Sequence, residues 1–302
     1  MTNIRLIKAL GLMAAAAICF AVTGGLVKVV TRSMSFLMAV MGRSVIGFIL
    51  LFAYFKLRGM SMTAHNHGLL AFRSFLGFVG MSLFFFGIQE IPLSSAVILN
   101  FSSPIFVAIF SVTLLKERFH KALPGLILLS FLGAGLIVSP DFHDINAAAL
   151  LALFSAVTTG LAWVLVRRIS RDDPAPVIVL LYMGWATVFS IVTFTGLTLF
   201  GVSGYGIGDI AGLTAKSDAM WALAGVGVFA TLGQIFTTEA YSSERAAVVG
   251  VFSYLTPIIS YFIGLFFFNE SPTFMALLGG ILILFSSITV VLLERAATSV
   301  DT

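Results

Sequence analysis

Charge is what this sequence has least of. Asp, Glu, Lys and Arg make up 10% of its 302 residues, against 59% hydrophobic residues and a mean hydropathy of +1.09. A soluble domain carries about 25% charged residues to cover its surface in water. The scarcity therefore excludes a water-soluble monomer and turns the outer surface toward lipid. Cysteine is nearly absent as well: Cys19 stands alone, which rules out an internal disulfide and a thiolate metal cluster. Histidine is sparse, and the one metal-like pair, His65-Asn-His67, lacks a third ligand nearby and reads as a solvated loop. No GxSxG, HExxH or GxxxxGK[ST] occurs, so neither a nucleophile elbow nor direct ATP hydrolysis is expected. Gly206-Ile-Gly208-Asp-Ile-Ala211 echoes a dinucleotide fingerprint, but no strand precedes it. The net charge of +4 comes from scattered bases that never form a nucleic-acid patch. No enzyme chemistry, cofactor, metal or nucleic acid is expected.

What the chain has in abundance is long apolar runs. Crossing roughly 30 Å of hydrocarbon takes about 20 apolar residues at 1.5 Å each. Ten stretches qualify: Ala9–Val30, Phe36–Leu57, Leu69–Ile88, Ser94–Leu115, Leu123–Val138, Ala147–Val166, Val177–Phe200, Met220–Tyr241, Ala246–Phe268 and Phe274–Leu293. A spanning segment must satisfy its own backbone, so helices are predicted. The first run follows Arg5 and Lys8 but is too long for a signal h-region, and reads as a retained helix.

Lysine and arginine placement predicts orientation. With the N-terminus inside, the inner side holds Arg5, Lys8, Lys56, Arg58, Arg73, Lys116, Arg118, Lys121, Arg167, Arg168, Arg171, Arg245 and Arg295. The outer side holds Lys28, Arg32 and Lys216, so both termini are predicted to be cytoplasmic.

The chain also repeats itself. Laying Pro104 over Pro257 brings Phe101-Ser-Ser-Pro-Ile-Phe onto Tyr254-Leu-Thr-Pro-Ile-Ile, and Lys116-Glu117-Arg118 onto Asn269-Glu270-Ser271. Ala21-Val22-Thr23 matches Ala156-Val157-Thr158 at a shorter offset. Five helices per half is an odd number, so the halves, residues 1–139 and 140–302, would enter the membrane in opposite directions. The predicted fold is an all-α membrane protein, ten transmembrane helices forming two inverted five-helix repeats around a central cavity. Inverted repeats of this kind build secondary transporters, with the site between halves near the midplane.

Several motifs carry a family resemblance: Arg73-Ser-Phe-Leu-Gly77, Ile91-Pro-Leu-Ser-Ser-Ala96, Ser103-Pro104-Ile-Phe and Leu115-Lys-Glu-Arg118, echoed by Thr256-Pro257 and Asn269-Glu270. In their order and spacing the chain resembles the EamA type of the drug/metabolite transporter superfamily over nearly its whole length. Its two intramembrane arginines resemble the group of S-adenosylmethionine uptake carriers and the solute carrier 35G organic-anion type. The resemblance implies that helices one to four and six to nine line the cavity. Helices five and ten would lie outside, free to support a homodimer.

The residues themselves nominate a site. An arginine at depth costs at least ~2.5 kcal/mol on insertion scales and usually faces a partner or a wet cavity. Arg43 lies within the second span and Arg73 near the inner end of the third; their forked donors suit a carboxylate or phosphate, and snorkelling is the alternative for each. Asn100 and Gln234 are amides within spans that want partners. Trp163, Tyr182, Trp185 and Tyr254 offer aromatic faces for a ring or cation, or ordinary packing. Pro104 and Pro257 are predicted mid-span kinks at matched positions, serving as hinges or cavity walls. Glu239 is expected to pair with Arg245 at the inner rim. Ala17, Ala21 and Gly25 form a small-residue stripe for close packing.

The expected function is secondary transport of a small polar metabolite bearing a carboxylate or phosphate across the bacterial cytoplasmic membrane by alternating access. The alternatives are an exporter of aromatic amino acids or cationic drugs and, from another class, an intramembrane enzyme or lipid-handling scaffold. The expected partners are the substrate and the bilayer.

Overall fold

In lipid, helices satisfy every backbone group locally, and each described element of this chain is a helix. The computed structural model describes residues 2–31, 34–90, 99–117, 120–138, 147–201, 217–267 and 274–300. The helices are α1 (Thr2–Val30), α2 (Phe36–Arg58), α3 (His67–Glu90), α4 (Ser103–Leu115), α5 (Leu123–Val138) and α6 (Ala147–Ile169). They continue as α7 (Ala175–Leu199), α8 (Ser217–Ser243), α9 (Ala246–Phe252), α10 (Leu255–Phe267) and α11 (Phe274–Val300). Six of them, α1, α2, α3, α6, α7 and α8, are long and apolar enough to cross a membrane, and the others contribute shorter apolar stretches. The Ile91–Ala96 motif, Arg32, Arg118, Gly206–Ala211, Lys216 and Asn269-Glu270 lie outside the described residues.

Two predicted spans differ from expectation in the same way. The ninth is broken at Ser253–Tyr254 into α9 and α10, and in the fourth a helical start at Leu99–Asn100 gives way to a turn before α4 begins at Ser103. Pro104 and Pro257 were expected to kink continuous helices. They stand instead in the first turn of α4 and of α10. Proline is cheap there because first-turn N–H groups have no intrahelical acceptor to lose. The two breaks lie close together: a Cβ on Gly250 of α9 would sit 3.5 Å from the Pro104 Cβ.

Packing joins early helices to late ones. α1 lies against α8 and α10, α2 against α7 and α8, α3 against α6 and α7, α4 against α6 and α9, and α5 against α11. Lipid offers no hydrophobic drive between helices, so close approach relies on small residues. Ala17 and Ala21 of the expected small-residue stripe are buried, as are Ala9 and Ala16 on the same helix, while Gly25 is only half-buried. A side chain on Gly160 of α6 would meet the Ser103 carbonyl at 3.1 Å. Gly133 of α5 and Gly279 of α11 each face the other's carbonyl oxygen, and Ser130 and Ser286 hydrogen-bond beside them. The outward faces carry Ile49, Phe52, Ile109, Leu132, Val192 and Trp221, an apolar coat suited to lipid tails.

Candidate functional site

Against this apolar background, buried polar side chains stand out, and the largest are Arg43 and Arg73, each 2% exposed. They rise from different helices and converge on one ring. Arg43 Nη1 lies 3.5 Å from Tyr182 Oη, and Nη2 donates to Gln234 Oε1 at 3.2 Å. The Arg73 guanidinium stacks 4.1 Å from the centroid of the same tyrosine, with the Trp163 ring 5.5 Å away. Arg43 lies 6.0 Å from the Tyr182 centroid. A desolvated cation over an aromatic face gains about 2 kcal/mol, less than full solvation would supply. Arg73 Nε and Nη1 have no hydrogen-bond partner, and neither guanidinium meets a carboxylate among the described residues.

Local sequence places these groups. Gly77 follows Arg73 by one helical turn, and a Cβ there would stand 2.9 Å from Tyr182 Cε2, so its absence lets the ring slide under the arginine. Gly47 follows Arg43 by one turn, and its Cβ would meet Thr231 Oγ1 at 2.5 Å. On α8 the buried polar residues Thr231, Gln234, Thr238 and Tyr241 step by three, four and three residues, one face of a 3.6-residue helix. Gln234 Nε2 and the Thr238 hydroxyl are buried without partners. Tyr241, unremarked in the sequence, stacks on Trp163 with centroids 4.9 Å apart and planes at 7°. That polar stripe was the signal that would have found it.

The other predicted residues fall elsewhere. Asn100 Nδ2 donates to Ser155 Oγ at 3.0 Å, linking the start of the fourth stretch to α6. Tyr254 sits at the second helix break, fully buried with Phe101, Ala134 and Ile283, its hydroxyl unpaired. Trp185 faces outward, 40% exposed, stacked on Phe189. The structure thus brings together Arg43, Arg73, Trp163, Tyr182 and Gln234, and sets Asn100, Tyr254 and Trp185 apart from them.

Two closures flank the cluster. At one end Val30, Met34, Met38, Phe78, Phe85 and Leu223 belong to an apolar plug. The other end, rich in bases, is tied by ions. Lys8 Nζ reaches Glu239 Oε1 at 2.9 Å, so the expected mate of Glu239, Arg245, is replaced by a residue of α1 that spatial proximity supplies. Arg245 Nε instead lies 3.8 Å from Glu244. Lys116 takes the left-handed conformation (φ 55°) at the end of α4, which turns Glu117 inward. Glu117 accepts from Arg167 Nε at 3.3 Å and from the Ala246 N–H at 3.1 Å, while Arg167 Nη1 donates to the Ser242 carbonyl at 2.7 Å. His65 donates through its backbone to Asp173 Oδ1 at 2.9 Å, and its Nδ1 lies 3.0 Å from the same oxygen. The hydrogen bond to Asp173, aided by that residue's charge, raises the His65 pKa above its ordinary value. The Lys8–Glu239, Glu117–Arg167 and His65–Asp173 ties each join a residue before position 139 to one after it.

Chemically, the cluster presents two permanent cations with spare donors between aromatic faces, an arrangement that fits an anion with an apolar or ring portion. No group of three or more metal-ligating side chains occurs among the described residues.

Known proteins match the chain over most of its length. The model of the EamA-like transporter family matches residues 7–139 and again 146–292. The chain is 30% identical over 274 residues to the pseudopaline exporter CntI of Pseudomonas aeruginosa, covering 90% of this chain and 92% of that one. It is 25% identical to human solute carrier family 35 member G1, over 72% of this chain and 60% of the other. It is 24% identical to an S-adenosylmethionine uptake transporter of Rickettsia conorii, over 74% and 72%. A solved crystal structure superposes with a TM-score of 0.70 at 18% identity, over 97% of this chain and 98% of the other, which speaks to the fold alone.

Proposed function

This multi-pass membrane protein belongs to the EamA-like transporter family, and from that premise we propose that it moves a small organic anion or zwitterion by alternating access, its carboxylate or phosphate gripped by Arg43 and Arg73. One observation carries the reading: two buried guanidiniums share the Tyr182 ring while no protein carboxylate reaches either among the described residues. Placing two arginines at depth costs about 5 kcal/mol on insertion scales, and a cargo anion is the natural compensation. A cationic drug would be repelled by the same pair, which disfavours the cationic half of the exporter alternative and leaves aromatic amino acids, which carry a carboxylate, within the proposed class.

The architecture proposed for this activity is ten spans in two inverted repeats, residues 1–139 and 140–302. Helix packing supports it: exchanging the first five spans for the last five turns the α1–α8 contact into the α6–α3 contact, and leaves α2–α7 and α5–α11 paired. The basic end, with Arg58, Lys116, Arg167, Arg168 and Arg171, would face the cytoplasm of a bacterial inner membrane with both termini. The exposed faces of α5 and α11 leave room for a homodimer. Relatives named as an exporter and as an uptake transporter support transport without choosing a direction.

The test is binding and uptake by purified protein. Wild-type protein should be stabilised thermally by at least one of glutamate, succinate, citrate and phosphate, because a ligand of the folded state alone raises Tm. Arg43→Gln and Arg73→Gln should each weaken that binding by about tenfold or more, the value of a charge-assisted bond. Stabilisation that survives both substitutions would remove the anion site.

A further inference from the structure

The charge balance of the cluster bears on how the carrier cycles. Arg43 and Arg73 are both 2% exposed, with the apolar core cluster and the ionic ties packed around them. The carboxylates whose side chains are described, Glu90, Glu117, Asp172, Asp173, Asp218, Glu239 and Glu244, lie near helix ends or in loops, and none of them forms an ion pair with Arg43 or Arg73. Arg43 has neutral acceptors only, the Gln234 amide and the Tyr182 hydroxyl. Arg73 has two ring faces and leaves Nε and Nη1 unpaired. Every alternating-access cycle passes through a closed state in which these groups are dry. In that state an unloaded carrier holds two cations with no carboxylate partner among the described residues, whereas a bound anion offsets one or both charges and accepts from the free donors.

We propose that this chain is an exchanger: it reorients readily only when loaded with an anion, so inward movement of one anion requires outward movement of another. The proposal rests on the anion site described above and adds the coupling mode. No proton carrier is needed, because the guanidiniums stay charged throughout and the countermoving anion closes the cycle. Gln234 gives the argument a sharp handle. Its Oε1 already receives Arg43 Nη2, so Gln234→Glu would install a counterion with almost no change of shape.

The experiment uses the full chain in liposomes. Labelled glutamate, succinate, citrate and phosphate are each offered to vesicles preloaded with the same unlabelled anion or with a cationic Bis-Tris chloride buffer that lacks it. For any of the four that binds in the thermal assay, preloading should accelerate uptake by about tenfold or more, one decade for each 1.4 kcal/mol of barrier removed. Equal rates with and without internal anion would overturn exchange and leave the anion site standing. Binding of none of the four would remove the site, and the exchange with it. In Gln234→Glu the ratio of preloaded to unloaded uptake should fall toward one. A folded Gln234→Glu carrier that keeps the wild-type ratio would overturn the charge argument independently of the first result.

Discussion

Gly77→Ala tests the construction of the site through a single methyl group. The added Cβ would stand 2.9 Å from Tyr182 Cε2, 3.4 Å from Cζ and 3.5 Å from the hydroxyl oxygen. Carbon atoms pack best at about 3.5–4.0 Å, so the ring must retreat by roughly 0.6–1 Å. It has little room to do so, being 3% exposed and stacked against Arg73 at 4.1 Å. The Arg43–Tyr182 contact is already 3.5 Å long and would part with any retreat. Overpacking costs about 1–3 kcal/mol, while replacing a helical glycine by alanine returns up to ~1 kcal/mol. The net loss of stability should be about 0–3 kcal/mol. Loss of a desolvated cation–π contact worth about 0.5–2 kcal/mol should weaken anion binding by roughly 2- to 30-fold. Thermal melts in detergent and uptake in liposomes read both quantities. Gly24→Ala is the control, because its Cβ would meet nothing within 4 Å and should be neutral or slightly stabilising. If Gly77→Ala melts and transports like Gly24→Ala, the ring is not wedged against α3 and the account of the site is wrong.

Three further outcomes follow from the ties and the outer helix pair. Glu117→Gln weakens the link among α4, α6 and α9; with its side chain 9% exposed, the change should cost about 1–3 kcal/mol and increase labelling of a cysteine placed at Ser242. His65 has a pKa raised by Asp173, so its contribution to stability is complete below its ordinary 6.5 and disappears as pH rises through the raised value. The Tm difference between wild type and His65→Ala should therefore be largest near pH 5.5 and shrink by pH 8.5; a constant difference would contradict the pairing. Ser130→Ala removes the hydrogen bond to Ser286 and should cost about 0.6 kcal/mol, at most ~1.7, in steric-trap or urea unfolding.

Membrane embedding and part of the cluster's membership were legible in the chain because polar groups are conspicuous in apolar helices. Arg43, Arg73 and Gln234 each demand a partner, and they meet around Tyr182. Trp185 carries no such demand, and its fate is decided by helical phase: Tyr182, Ala186 and Ser190 face inward at four-residue steps, while Trp185, Val188 and Val192 face out. The partner of Glu239 was illegible for a different reason. Lys8 is 231 positions away, and only the folded bundle makes it a neighbour. The helix breaks fell between these cases. Proline announces a disturbance, but whether a helix bends through it or begins at it depends on the acceptors nearby, and Ser102 and Ser253 close turns just ahead of each restart.

The clasp between α5 and α11 constrains how such a machine can move. Carbonyls set against missing side chains at Gly133 and Gly279 leave no slack for sliding, and one helix belongs to each half of the chain. If the carrier rocks as proposed, this seam is where its halves would pivot, much as a door turns on its jamb. Side chains along α3, α6 and α8, which do not pack on α5 or α11, would then sweep the widest arcs, so bulk added there should slow turnover far more than bulk added beside the seam.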